Sequence, residues 1–247
     1  MEPYWLEQAE DDVPADNNWL GASEILCLNR LHIAKRRDDW RRGRWTAKLA
    51  IASYMDLSDH FQALAGIEIR PATSGAPEAF VGNAPASLVI SLSHCSGMAI
   101  CVLAPYGVDL GCDMEVIEPR SDAFVADYFA AEEQDLISRT THAQRSLMLA
   151  LLWSGKESAL KALREGLRLD TRDVIVSFPE DSLIDPSHGW TSLHVRCVAG
   201  QVFQGWWRVA DGIVRTVVAE PSPCLPVHLM PPPSYRNIPE FEATGEK

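Results

Sequence analysis

The sequence predicts an α+β fold of two pseudo-symmetric halves, each with helices packed on a small, mostly antiparallel sheet and with an active site at their interface. Three observations carry this. Segments of helical period and short strand-like runs follow one another in two successive sets. Residues 43–52, GRWTAKLAIA, and residues 151–162, LLWSGKESALKA, both place Trp-x-x-Lys on an apolar helix, and each lies near a group of short strands. Towards the end of the chain, Gly200-Gln201 and Asp211-Gly212 part three strand-like runs into a meander. The expected division is 1–108 for the first half, 109–222 for the second and 223–247 for a proline-rich tail.

The acidic, polar start MEPYWLEQAEDDVPADNN is expected to be mobile. It has neither a basic start nor an apolar run, so no signal peptide is expected. Ser23 can cap a helix carrying Ile25, Leu26, Leu28 and Leu31. A second helix follows through Trp45, Leu49, Ile51 and Tyr54, ending near MDLSDH. Residues 71–85 read as loop from their Pro, Gly and Ser content. Residues 86–94 and 97–105 read as a hairpin closed at Cys95-Ser96, and GVDLGCDME (107–115) as the next strand. The pattern then turns helical through FVADYFAAEEQDLI and SLMLALLWSGKESALKAL. The second of these is nearly all apolar before Trp153, which predicts a buried helix whose polar end projects into a site. Strands are expected at 174–178, 192–200, 201–212 and 213–220, and the chain from Pro221 is expected to wrap the surface or to be disordered.

Composition narrows the function. With 247 residues, 47% hydrophobic and 23% charged, the chain can bury a full core as one large domain or two small halves. A net charge of −12 disfavours broad binding to nucleic acid or to an anionic membrane. No stretch approaches the ~18 apolar residues of a membrane span, so a cytoplasmic location is the expectation. The six cysteines (Cys27, Cys95, Cys101, Cys112, Cys197 and Cys224) form no CxxC pair, which argues against zinc and for reduced, mostly buried thiols. Positive charge is nevertheless concentrated in KRRDDWRRGRWTAK, which holds Lys35, Arg36, Arg37, Arg41, Arg42, Arg44 and Lys48. A run this dense in an acidic chain suggests an anion site, against the simpler reading of a solvated helix face.

The chemistry centres on three acids. Asp113 and Glu115 stand at i and i+2, on one face of a strand, with Leu110, Cys112 and Met114 on the other. Glu157 lies on a helical stripe with Trp153, Lys156, Leu160 and Lys161. Strand and helix could then give oxygen donors to one hard cation such as Mg²⁺, with Mn²⁺ as a substitute. Asp109 shares the face and either joins the site or flanks it. Against this, Asp113 and Glu115 could be a solvated edge, Glu157 and Lys161 a surface ion pair, and His94 a turn residue.

SLSHCSG, GCDMEVIEPR, FAAEE and WSGKESALKA resemble, in order and in rough spacing, the motifs of the 4'-phosphopantetheinyl transferase superfamily, in its longer surfactin-synthetase-activating type. The resemblance runs from about Gly75 to Leu169. It implies transfer of phosphopantetheine from coenzyme A to a serine of an apo acyl or peptidyl carrier protein, with release of 3',5'-ADP, by a monomer whose two halves enclose the coenzyme. Asp113, Glu115 and Glu157 then match the metal ligands, and Glu157 is also the candidate base. Lys161 is expected near the diphosphate with Lys156 in support, and Ser93 and His94 match the Ser-His motif that contacts coenzyme phosphate. Gly75 and Pro77 match the loop beside the adenine. Lys35, Arg36 and Lys48 resemble positions binding the 3'-phosphate, and Glu133 matches the acid of Phe-x-x-x-Glu from Phe129. Ala76 departs from the Lys or Arg usual in that loop, so one nucleotide contact is missing or comes from the arginine helix. Two other readings remain open: a Mg²⁺-dependent nuclease, which also uses strand acids followed by Glu-x-Lys, and a carrier-binding module that has lost activity.

Overall fold

A computed structural model describes residues 1–57, 61–179 and 189–231 of the chain. It opens on a strand, β1 (Tyr4–Ala9), where the acidic start predicted a mobile segment. Trp5 and Leu6 are buried on its opposite faces, and the strand pairs with residues nearly a hundred positions on, a partnership that local composition does not reveal. Helix α1 (Ala22–Leu28) is capped at Gly21, not at Ser23. Glu24 bends back to accept the Gly21 N–H at 3.0 Å, and a Cβ at Gly21 would sit 2.3 Å from the Glu68 carboxylate. The inner face of this helix is Glu24 and Leu28, while Ile25 and Leu26 are exposed and Leu31 lies beyond its end.

Helix α2 (Ala34–Tyr54) carries the basic run and buries its second half against the first sheet. After α3 (Phe61–Ala65) come β2 (Ile67–Pro71), β3 (Pro77–Val81) and β4 (Ala84–Pro85), a small sheet whose second and third strands fall inside residues 71–85, expected to be loop. The glycines there are turns between strands: Gly82 and Asn83 both have positive φ, 57° and 68°, as a two-residue hairpin of the right twist requires. Strands β5 (Leu88–Cys95) and β6 (Met98–Pro105) form the expected hairpin, turning at Ser96 and Gly97 with φ of 47° and 79°.

Strand β7 (Asp109–Val116) opens the second sheet. The helical stretch that follows is broken in two, α4 (Asp122–Tyr128) and α5 (Ala131–Arg139), because Phe129 turns extended and fully buries its ring. Helix α6 (His142–Ala162) is the buried helix expected. The meander then runs through β8 (Val174–Ser177), β9 (Thr191–Cys197), β10 (Val202–Ala210) and β11 (Ile213–Glu220), giving the antiparallel order β7-β11-β10-β9-β8. In the tail, β12 (Val227–His228) adds in parallel to β1, and the first sheet reads β12-β1-β6-β5; residues 232–247 of the expected tail lie outside the described residues. All six cysteines are unpaired, with Cys101, Cys112 and Cys197 buried, Cys27 and Cys224 exposed and Cys95 between. Among the described residues no helix is long and apolar enough to cross a membrane.

The two Trp-x-x-Lys segments occupy equivalent places. On α2, Lys48 donates to the carbonyls of Trp19 and Leu64 at 3.0 Å each and pairs with Glu24 at 2.5 Å. Glu24 in turn accepts from Gly21 N–H and Ile69 N–H. On α6, Lys156 donates to the carbonyls of Thr171 and Val174 and pairs with Glu133 at 2.6 Å. Glu133 accepts from Ala130 N–H and Val176 N–H, both at 2.9 Å. Each lysine stands near an aromatic ring, Trp19 or Phe129. Each pair therefore ties a long helix to a capped short helix and to a strand. Lys48 and Lys156 are wholly buried with all three ammonium donors used inside the protein. Both were expected to contact the coenzyme, but their head groups are taken up by these internal partners and neither residue lines the cavity between the halves. Glu133, the acid of the Phe-x-x-x-Glu stretch, is the other end of the Lys156 pair.

The sheets meet edge to edge. β5 offers no backbone partner to β7 here. Instead the Ser91 and Ser93 hydroxyls accept the N–H groups of Cys112 and Met114, at 2.9 and 3.3 Å. Behind this seam an apolar cluster combines Ile100 and Val102 of β6 with Leu110, Cys112 and Met114 of β7 and Val217 of β11. Arg215 of β11, 2% exposed, clamps Glu7 of β1 through two nitrogens at 2.5 and 2.9 Å.

Candidate active site

The acids occupy the seam because of how β7 alternates. Leu110, Cys112 and Met114 point into the apolar cluster, so Gly111, Asp113 and Glu115 face α6. Gly111 lets the helix lie directly on the strand: a Cβ there would be 1.8 Å from the Ser158 carbonyl oxygen. That contact sets the height at which Glu157 and Lys161 pass over Asp113.

Asp113 is 5% exposed. Its Oδ1 accepts from the Ser93 hydroxyl and from Lys161 Nζ, both at 2.8 Å, and Lys161 also donates to the Cys112 carbonyl at 3.0 Å. Its Oδ2 is buried with no hydrogen-bond partner. Glu115 pairs with Arg120 at 3.0 Å, with the Trp153 side chain close by. Burial first, and then the Asp113 charge, push the Glu115 carboxyl up to about 7. The same two causes raise Glu157. Burial is the largest influence on Lys161 and lowers it, but the Asp113 charge and hydrogen bond together with the Cys112 and Glu157 charges outweigh it, and the net shift is upward. Asp109 is exposed at the strand's start and stands apart from this group.

Asp113, Glu115 and Glu157 thus feel one another's charge without closing on a common point. Among the described residues no three acidic, histidine or cysteine side chains stand ready around a metal ion. The expected trio differs from the observed one because Lys161 takes one Asp113 oxygen and Arg120 takes Glu115. The donor set still fits a hard divalent cation: three carboxylates lie within range of one another's charge, burial and then the Asp113 charge raise two of them, and one buried oxygen has no partner.

Ser93 and Lys161, both bonded to Asp113, also line a cavity of about 450 Å³ between the halves. Gly75, Ala76 and Pro77 of the β2–β3 turn form one wall, with Gly75 at φ +90° where a side chain would be strained, and His94 is exposed at the end of β5. Gly75, Pro77, Ser93, His94 and Lys161 are therefore brought together. Lys35 and Arg36 are not: both are exposed on the first turn of α2, one turn before the residues of that helix that line the cavity.

Two side chains, Trp40 and Arg164, escaped the sequence reading, and Arg44 entered it only as one of the seven cations of the basic run. Trp40 and Arg44 of α2 line the cavity, the guanidinium 4.9 Å from the ring centroid. Burial lowers the Arg44 pKa despite Glu24 nearby, and its Nε makes no hydrogen bond. Arg164, just past α6, reaches the same space from the other half. The i, i+4 spacing of Trp40 and Arg44 was the available signal, and counting cations along the whole run conceals it. The cavity thus has Arg44, Arg164 and His94 in its lining together with Ser93 and Lys161, the two side chains that bond to Asp113. An elongated polyanion that also binds a divalent cation suits that distribution.

Residues 109–203, which span β7, α6 and most of the second sheet, match the family model of the 4'-phosphopantetheinyl transferase superfamily. The chain is also similar to 4'-phosphopantetheinyl transferase HetI of Nostoc sp., with 22% identity over 208 residues, covering 81% of this chain and 85% of that protein.

Proposed function

We propose that this chain, similar over residues 109–203 to the 4'-phosphopantetheinyl transferase superfamily and along most of its length to a 4'-phosphopantetheinyl transferase, moves the phosphopantetheine arm of coenzyme A onto a serine of an apo acyl or peptidyl carrier protein and releases 3',5'-ADP. The observation that carries this reading is the Asp113 group: a buried carboxylate with one unpartnered oxygen, bonded to Ser93 and Lys161 on the wall of the cavity. The proposed division into residues 1–108 and 109–222 is supported by the sheet boundary at β7 and by the two equivalent buried lysine pairs.

The transfer joins the serine oxygen to the β-phosphorus of coenzyme A and breaks that phosphorus's bond to the bridging oxygen, which leaves on 3',5'-ADP. Asp113, Glu115 and Glu157 would hold Mg²⁺ or Mn²⁺, which when bound neutralises diphosphate charge and stabilises the leaving oxygen. Lys161 adds a fixed positive charge beside the same oxygens. Glu157, whose proton affinity is raised by burial and by Asp113, accepts the serine proton directly or through a water. Gly75, Ala76 and Pro77 give the adenine a wall without a side-chain charge. His94 and Arg44 meet the 3'-phosphate, with Arg164 at the lip, so the contact lacking at Ala76 comes from α2 and the end of α6. Binding energy spent there orients the distant reacting bond.

The test is to incubate the protein with Mg²⁺, coenzyme A and a panel of apo carriers and to follow intact carrier mass. A phosphopantetheine increment on at least one carrier is the expected result, and failure on every carrier class would end the proposal. Arg44→Ala should raise KM for coenzyme A about tenfold or more with kcat little changed, the loss expected for a charge-assisted contact. With dephospho-coenzyme A, parent and variant should perform alike. A variant equally impaired with both donors would place Arg44 elsewhere.

A further inference from the structure

Glu115 is the acid in the cluster that is turned away from it. Its Oε2 is 3.0 Å from Arg120 Nη2, and the Trp153 side chain lies close by. Arg120 is itself held on three sides. Glu118 pairs with it at 3.3 Å, its guanidinium lies 5.2 Å from the Phe124 centroid, and Phe124 packs edge-on against Trp153 at 5.2 Å. The side chain is 29% exposed and sits in the short link between β7 and α4. A surface arginine paired with one exposed acid would contribute little. This one is stacked, doubly paired and set against a half-buried carboxylate whose other neighbours are Asp113 and Glu157.

We propose that Arg120 is a positioning residue that serves as an internal counter-cation: it holds Glu115 out of the acid cluster in the free protein and gives it up when a divalent ion enters. Two effects then oppose ion entry in the free state. Glu115 must exchange one cationic partner for another, and the guanidinium repels the incoming charge at close range. Once released, Arg120 is still tethered by Glu118 and Phe124, so it stays at the edge of the cluster. The consequence is a divalent ion bound weakly on its own and more tightly once an anionic co-substrate has drawn the arginine away. Lys161 does not play this part, because it is bonded to Asp113 and to the Cys112 carbonyl, away from Glu115.

The proposal rests on the acids' holding a divalent ion, which is part of the function proposed above. The experiment therefore reads ion binding without turnover. Free Mn²⁺ is titrated into the full chain, without coenzyme A, and the unbound ion is counted by its paramagnetic resonance signal. Arg120→Gln is expected to tighten Mn²⁺ about fivefold or more. Arg120→Lys, which keeps the charge, should stay within about twofold of the parent. A purely structural role would weaken binding in both variants. Unchanged or weaker binding in Arg120→Gln overturns the proposal, as does absence of Mn²⁺ binding in every form. Tightening in Arg120→Gln without carrier modification by the parent would sustain the counter-cation and remove the transferase reading; modification with unchanged Mn²⁺ affinity would do the reverse.

Discussion

Asp113→Asn should abolish phosphopantetheine transfer while leaving the protein folded. Asparagine has the same shape, and its carbonyl oxygen can still accept from the Ser93 hydroxyl and from Lys161, which are 2.8 Å from Asp113 Oδ1. What is lost is the charge, and with it both the counter-ion of Lys161 and the anionic donor whose second oxygen has no partner in the chain. Stabilisation of a developing phosphate charge is worth several kcal/mol, so the rate should fall on the order of a thousandfold. Intact mass of a modified carrier gives the rate, and a melting curve checks the fold. Transfer at a rate near that of the parent would take the acid cluster out of the chemistry. Thermal stability should shift little, because desolvating a neutral amide is cheaper than desolvating a carboxylate with a free oxygen.

The largest loss of stability should come from Lys156→Met. Methionine fills similar volume but leaves Glu133, 1% exposed, without its cationic partner. Breaking a buried pair from one side costs about 3–5 kcal/mol, which for a chain of this size corresponds to a fall in Tm of about 10 °C. Burial holds Lys156 below and Glu133 above their ordinary values, and the attraction of each for the other opposes that shift. Lys156→Met with Glu133→Gln should recover part of the loss, because glutamine can still accept from Ala130 N–H and Val176 N–H. Calorimetry on the single and double variants decides it. A Lys156→Met protein that melts like the parent but binds coenzyme A poorly would return this lysine to the ligand. Because Lys48 and Glu24 repeat the arrangement in the other half, a lysine that looked like a coenzyme contact becomes an anchor of the first core.

Several features were legible before any coordinates because they depend on neighbours in sequence. Alternation along β7 places Gly111, Asp113 and Glu115 on one face whatever lies above them. Turn chemistry marks the β5–β6 hairpin and the later meander, and the apolar run before Trp153 marks α6 as buried. The repeated Trp-x-x-Lys pointed to two similar halves, and the antiparallel sheets with their long helices agree with the α+β class. Other features were invisible for an equally definite reason. β1 exists because β6 and, from the tail, β12 supply its hydrogen bonds, and β3 and β4 are short strands among the prolines and glycines of their own turns.

The sequence by itself determined which residues are acids, cations and turn formers and which of them share a strand or helix face, since period and turn geometry act over a few residues. Only the tertiary structure decided which charges are spent inside and which face the cavity. Lys48 and Lys156 sit on the same kind of helix as Arg44 and Lys161, yet carbonyls and a capped glutamate brought from distant segments enclose the first two. A charge's cost and use depend on the dielectric and the partners around it, and these are assembled by folding.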